Sequence, residues 1–164
     1  MDSTEQTPQQ QISNEDRLKL LEKMFADRRE YWMKWVEDMT KCLRDMNKLV
    51  DLQVDVYSRR QEAVENYHSL SNILAKRTRA YKDRYAEIYK TLRPLKLFPG
   101  SPTLMYSTEK SIADQIEAHL SQDKYIIDLT SSQMEYMEET IKTIDGIIYS
   151  IANRIKIEEI NIGR

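Results

Sequence analysis

From Leu18 to Thr91 apolar residues return at seven-residue spacing with no proline or glycine between them, a pattern that few folds accommodate. One seam position is taken by Leu18, Phe25, Trp32, Met39, Met46, Gln53, Arg60, Tyr67, Leu74, Tyr81 and Ile88. The other is taken by Leu21, Arg28, Trp35, Cys42, Leu49, Val56, Ala63, Leu70, Arg77, Arg84 and Thr91, and sixteen of the twenty-two are apolar. Sustained heptads of this kind predict a long, coiled-coil-like helix. Unbroken from 14 to 92 it would extend roughly 120 Å at 1.5 Å per residue. The seam weakens at Arg59-Arg60 and helix propensity falls across His68-Ser69-Leu70-Ser71, so a break is expected at one of these places. Arg60, Arg77 and Arg84 stand where leucine would normally seal the seam. Because an unpaired guanidinium is costly to bury, either another face turns inward there or the seam opens to solvent and to a charged ligand.

The run has recognisable ends. Residues 1–12 are polar, rich in Gln, Thr and Ser, and read as a disordered tail. Ser13-Asn14-Glu15-Asp16 has the form of a capping box, so order is expected to begin at 13 and continue to 93. Pro94, Pro99, Gly100 and Pro102 then make 94–107 a loop, whose Leu95, Leu97, Phe98, Leu104 and Met105 suit packing against something. Ser107 or Thr108 can cap a second helical part spanning 108–160. There the heptads return as Ala113, Leu120, Ile127, Met134, Ile141, Ile148, Ile155 and Ile162, with Ile116, Asp123, Thr130, Met137, Ile144, Ile151 and Glu158 in the partner position. The expected architecture is therefore all-α, a helical hairpin of heptad-patterned helices. Met137, Ile141, Ile144, Ile148, Ile151 and Ile155 form a stripe expected to bury itself against the first helix and then to join copies of the chain, because isoleucine at both positions favours higher oligomers.

Charge is distributed unevenly along this frame. Lys76, Arg77, Arg79, Lys82, Arg84, Lys90, Arg93 and Lys96 are opposed within 76–96 only by Asp83 and Glu87, so that segment carries +6 while the whole chain carries −2. Basic charge concentrated in an otherwise acidic chain suits a surface that meets a polyanion. Tyr81, Tyr85 and Tyr89 recur every four residues beside the cations, and rings with cations are the ingredients of sequence-tolerant single-strand binding. A tyrosine stripe at helical spacing is more often a core or interface face than a stacking platform.

Other chemistry is missing from the pattern. Gly100, Gly146 and Gly163 form no phosphate loop. His68 and His119 have no cysteine partners, and the carboxylate pairs Glu138-Glu139 and Glu158-Glu159 read as solvated charge. No catalytic group, metal or cofactor is expected. Trp32 and Trp35 occupy seam positions and read as core packing, with a partner anchor as the alternative; Met24, Met33, Met39, Met46, Met134 and Met137 read as adaptable packing. Cys42 is the only cysteine, no basic or apolar leader opens the chain, and no apolar run approaches eighteen residues, so a soluble, intracellular protein without a membrane span is expected.

The second half carries a resemblance. Tyr106-Ser-Thr-Glu109-Lys110-Ser111, then Leu120-Ser121-Gln-Asp123-Lys124, then Ser132-Gln133-Met134-Glu135-Tyr136, Ile144-Asp145-Gly146 and Ala152-Asn153-Arg154-Ile155-Lys156 resemble in order and spacing the UvsY family, recombination mediators of T4-like phages. The similarity covers about residues 60 to 160, and the long leading helix departs from it. The resemblance implies a non-enzymatic, homo-oligomeric, ring-forming accessory protein of the host cytoplasm. Such a protein binds single-stranded DNA, loosens single-strand-binding protein and helps a recombinase load. It also implies DNA contacts just upstream of the loop, where Lys90, Arg93 and Lys96 stand. The alternative from the residues alone is a coiled-coil scaffold whose basic segment docks an acidic protein.

Overall fold

The computed structural model describes residues 13–43, 45, 48–92 and 109–163; the tail 1–12, Met46, Arg93, Lys96, the loop 94–107 and the cap expected at Ser107 or Thr108 lie outside them. Among the described residues the fold is all-α, with α1 (Asn14–Cys42), α2 (Leu49–Leu92), α3 (Glu109–His119) and α4 (Ser121–Ile162).

α1 begins as its sequence predicts. The Ser13 hydroxyl oxygen accepts the Asp16 backbone N–H at 3.1 Å, and the hydroxyl donates to the Asp16 carboxylate at 2.8 Å, which satisfies one of the open N–H groups of the first turn. The helix ends at Cys42, where the Leu43 N–H still reaches the Met39 carbonyl. Arg154, far along α4, donates to the Leu43 carbonyl and so closes that end from across the bundle. The break thus lies between Cys42 and Leu49, and the expectation of a break at Arg59-Arg60 or His68–Ser71 is corrected. α2 runs through both places for 44 residues, about 66 Å. Packing explains the continuity, because Ala63, Tyr67 and Leu70 of that stretch are held against the core and outweigh a local dip in propensity.

The second half also divides once more than its sequence suggests. Leu120, with φ −100° and ψ 12°, separates α3 from α4, although the Leu120 N–H to Ile116 and Lys124 N–H to Leu120 bonds keep the two nearly continuous. Arg60 meets Asp145 and Arg84 meets Asp123, so α2 and α4 run antiparallel, the expected hairpin. Arg28 meets Asn66 and Tyr31 meets Arg59, so α1 lies antiparallel to α2 as a third member.

Two apolar clusters hold the assembly. The larger sets Trp32 of α1 and Leu49, Leu52, Val56 and Ala63 of α2 against Met137, Ile144, Ile147 and Ile151 of α4. The smaller sets Ile112, Ile116 and Leu120 against Tyr81, Tyr85, Ile88, Tyr89 and Leu92 at the far end of α2. Trp32 and Trp35 both pack in the first cluster, as their seam positions predict, whereas Met24 and Met33 are exposed.

On α4 the buried stripe is Thr130, Gln133, Met137, Thr140, Ile144, Ile147 and Ile151. One of the two heptad positions is therefore shifted by a residue from the apolar row Met134, Ile141, Ile148 and Ile155, which flanks the core half-buried. Gln133 and Thr140 tolerate burial because their polar atoms are met: Arg29 donates to Gln133 Oε1 at 2.7 Å, and the Thr140 hydroxyl donates to the Tyr136 carbonyl at 2.9 Å. The isoleucine stripe expected to join copies is thus covered within one chain. Met137, Ile144 and Ile151 are at most 1 % exposed, and Ile141, Ile148 and Ile155 pack against the same cluster. The first helical region, as α1 and α2, covers the stripe as expected and leaves little of it for a second copy.

Candidate nucleic-acid interface

The last four turns of α2 are divided by helical geometry into two sides. Tyr81, Tyr85, Ile88, Tyr89 and Leu92 recur at three- and four-residue steps and face α3. The rings of Tyr81 and Tyr85 are half-buried, with centroids 6.4 Å apart and tilted. Their position against Ile112, Ile116 and Leu120 makes them a packing face, the other reading of the stripe, with part of each ring left exposed. Lys76, Arg77, Arg79, Lys82, Arg84 and Lys90 occupy the rest of the circumference, and all six are exposed.

Charge pairing thins this belt without cancelling it. Arg84 donates to the Asp123 carboxylate at 2.5 Å, and Arg79 Nε lies 4.0 Å from Asp83, both side chains of the latter pair being largely solvated. Exposed pairs of that kind are weak and easily exchanged for another anion. Among the described residues, no carboxylate stands within ion-pair distance of Lys76, Arg77, Lys82 or Lys90.

Arg77 and Arg84 are one heptad apart, so they share the flank of α2 that looks toward α1. There the seam is open. A cleft of about 440 Å³ is lined by Arg17 and Leu18 of α1, Arg77 and Arg84 of α2, and His119 and Asp123 at the α3–α4 bend. Three guanidiniums against one carboxylate give its lining a positive balance, while Glu15 and Asp16 in the first turn of α1 offset the positive end of that helix's dipole. Ser13 sets where that terminus falls, so the cap motif positions Arg17. Beside it lies a second cleft, of about 420 Å³, that shares Leu21 and Arg77 with the first and runs between α1 and α2 over α4.

Arginines at seam positions account for the opening. Arg28 Nη2 donates to Asn66 Oδ1 at 2.6 Å and stands 3.9 Å from Glu62, and Arg60 meets Asp145 at 2.5 Å, so each finds a partner at the rim of a helix interface. The hydrogen bond and charge of Asp145 hold the Arg60 guanidinium above its already high pKa. Neither outcome expected of the seam arginines describes Arg60 and Arg84, which are paired with carboxylates across the hairpin, whereas Arg77 faces the open seam. Arg17, Arg28 and Asn66 were not legible as site residues. Their role depends on how α1 lies on α2, and no local motif encodes that.

The remaining assigned cations, Arg93 and Lys96, lie outside the described residues. No group of His, Cys, Asp and Glu suited to a metal exists among the described residues, and no helix there is long and apolar enough to cross a membrane. Compared with known proteins, the chain matches no family model, no curated protein and no solved structure.

Proposed function

We propose that the chain is a non-enzymatic single-stranded DNA-binding protein of the recombination-mediator kind, which helps a recombinase load onto DNA coated by single-strand-binding protein. The observation that carries the DNA-binding part is the run of six exposed cations on α2 leading into a cleft lined by Arg17, Arg77 and Arg84. A flexible strand can follow such a run, with its phosphates meeting lysines and arginines in turn. The mediator part, with recombinase and single-strand-binding protein as partners, rests on the resemblance of residues 60 to 160 to UvsY. Assembly of several copies belongs to the same proposal. Since the isoleucine stripe is covered, it would use faces that stay open, such as Leu20, Met24 and Met33 on α1 or Ile157, Ile160 and Ile162 at the end of α4.

A titration of a fluorescent oligonucleotide tests the proposal. Affinity should fall linearly with the logarithm of salt concentration, with a slope of roughly −0.7 per phosphate neutralised on a single strand. Charge reversal of Arg77, Arg79, Lys82 and Arg84 to glutamate should abolish binding while leaving helicity intact. Binding unchanged in that variant would remove the belt as the site. The packing of Tyr81 and Tyr85 against α3 favours the second reading, a scaffold that docks an acidic protein, and a chain indifferent to oligonucleotides at low salt would decide for it.

A further inference from the structure

Two carboxylates on α4 reach across the hairpin to arginines on α2, and they hold them differently. Asp145 meets Arg60 with both oxygens, accepting from Nε at 2.5 Å and from Nη2 at 3.4 Å. Asp123 meets Arg84 at one point, accepting from Nη1 at 2.5 Å, and the Arg84 side chain stays 59 % exposed. Arg84 therefore keeps N–H donors unused among the described residues, on a side chain that lines the same cleft as Arg17, Arg77 and His119. The contacts beside the pair hold the helices without it, because Tyr81, Tyr85 and Ile88 pack on Ile112, Ile116 and Leu120. Asp123 also stands in the first turn of α4, whose N-cap residue Leu120 supplies no side-chain hydrogen bond. The positive end of that helix still favours the carboxylate once Arg84 has left it.

We propose that Asp123 occupies the place of a strand phosphate at Arg84, and that binding of the strand exchanges one anion for the other. The inference rests on the reading of α2 as a single-strand-binding surface and adds a residue that sets its affinity. A carboxylate and a phosphate diester both accept from a guanidinium, and an exposed pair is weak enough to give way to the other anion. Arg17 and Arg77 have no carboxylate within ion-pair distance among the described residues, so they draw a phosphate into the cleft, where Arg84 is the cation already taken. Each binding event has to release Asp123, and the free chain binds more weakly than its cations alone would allow.

Fluorescence anisotropy with a dT oligonucleotide at one low salt concentration compares four full-length chains: unmodified, Asp123→Asn, Arg84→Gln and the double variant. Asp123→Asn should bind about threefold more tightly than the unmodified chain, the scale of one exposed ion pair. In the Arg84→Gln background the same substitution should gain clearly less, because only the general loss of a negative charge remains. Unchanged or weaker binding by Asp123→Asn overturns the exchange and leaves the belt standing, since Asp123 then positions Arg84 for the strand or only supports the fold. An equal gain in both backgrounds overturns it in favour of a long-range effect of charge. Absence of binding by the unmodified chain and by Asp123→Asn overturns the belt and the exchange together. Where Asp123→Asn loses helicity, carboxylate ¹³C NMR of the unmodified chain decides. On addition of the oligonucleotide the Asp123 signal should move, and that of Asp145, roughly 33 Å further along α4, should stay. An Asp123 signal that stays as well overturns the exchange.

Discussion

The α2–α4 seam and the α1–α2 seam are built from the same seven-residue pattern and end in opposite states. Between α2 and α4, Val56 and Ala63 meet Met137, Ile144 and Ile151, and every one of these side chains is at most 1 % exposed. Small and branched apolar residues there let the two long helices close. Between α1 and α2, Arg28 and Arg77 take seam positions, their heads need water or a partner, and the helices stand apart over two clefts. One seam carries stability and the other carries an opening with positive charge. The contrast implies that substitutions of the same size act with opposite sign in the two places.

The largest effect is expected in the closed seam. Ile144→Ala removes a fully buried side chain from the contact of α4 with α2 and Trp32. The lost burial and the remaining cavity should cost about 3 kcal/mol, read from urea unfolding followed by circular dichroism. A cost below about 1 kcal/mol would mean that this seam is as loose as its neighbour.

Arg77→Leu should act the other way. Leucine in place of an exposed seam arginine can lie on Leu21, Leu70 and Ile73 and draw α1 toward α2. A gain of about 1 kcal/mol in stability is expected, from apolar area removed from water, together with weaker oligonucleotide binding. A loss of stability would show that Arg77 is part of the packing and not of an opening held for a ligand.

The same contrast shows what the sequence carried. Helix class, the hairpin and the Ser13 cap were legible because period, proline and glycine placement, and capping chemistry act over a few residues. The seam arginines were legible as a problem, and the solution found for Arg60 and Arg84 was not among those the sequence suggested, since it depends on Asp145 and Asp123 lying 85 and 39 residues away. Gln133 and Thr140 misled the heptad reading of α4, because polar residues entered the core once Arg29 and the Tyr136 carbonyl met them. The bend at Leu120 has no proline or glycine to announce it; burial of Leu120 beside Ile112 and Ile116 marks it only in three dimensions.

The smallest expected effect concerns how α1 is tied down beside its open seam. Tyr125 of α4 donates its phenol to the Glu22 carboxylate at 2.6 Å, which links the N-terminal half of α1 to α4 near the cationic cleft. That hydrogen bond, with some desolvation and the charge of Glu22, holds the phenol above its usual pKa. A group whose folded pKa is raised contributes stability that is complete below the unfolded value, about 10, and is lost as pH rises through the folded value. The chain contains ten tyrosines, so the useful quantity is the difference in Tm between the chain and Tyr125→Phe. The difference should be small and constant from pH 7 to 9 and shrink toward zero above pH 10 as the phenolate is repelled by Glu22. Because this tether spans α1 and α4 and leaves α2 untouched, its loss should also loosen the cationic cleft while the α2–α4 seam keeps its stability. Hydrogen exchange that rises in α1 residues 14–28 and stays unchanged in α2 residues 49–63 would separate the two seams, whereas a uniform rise would make them a single cooperative unit.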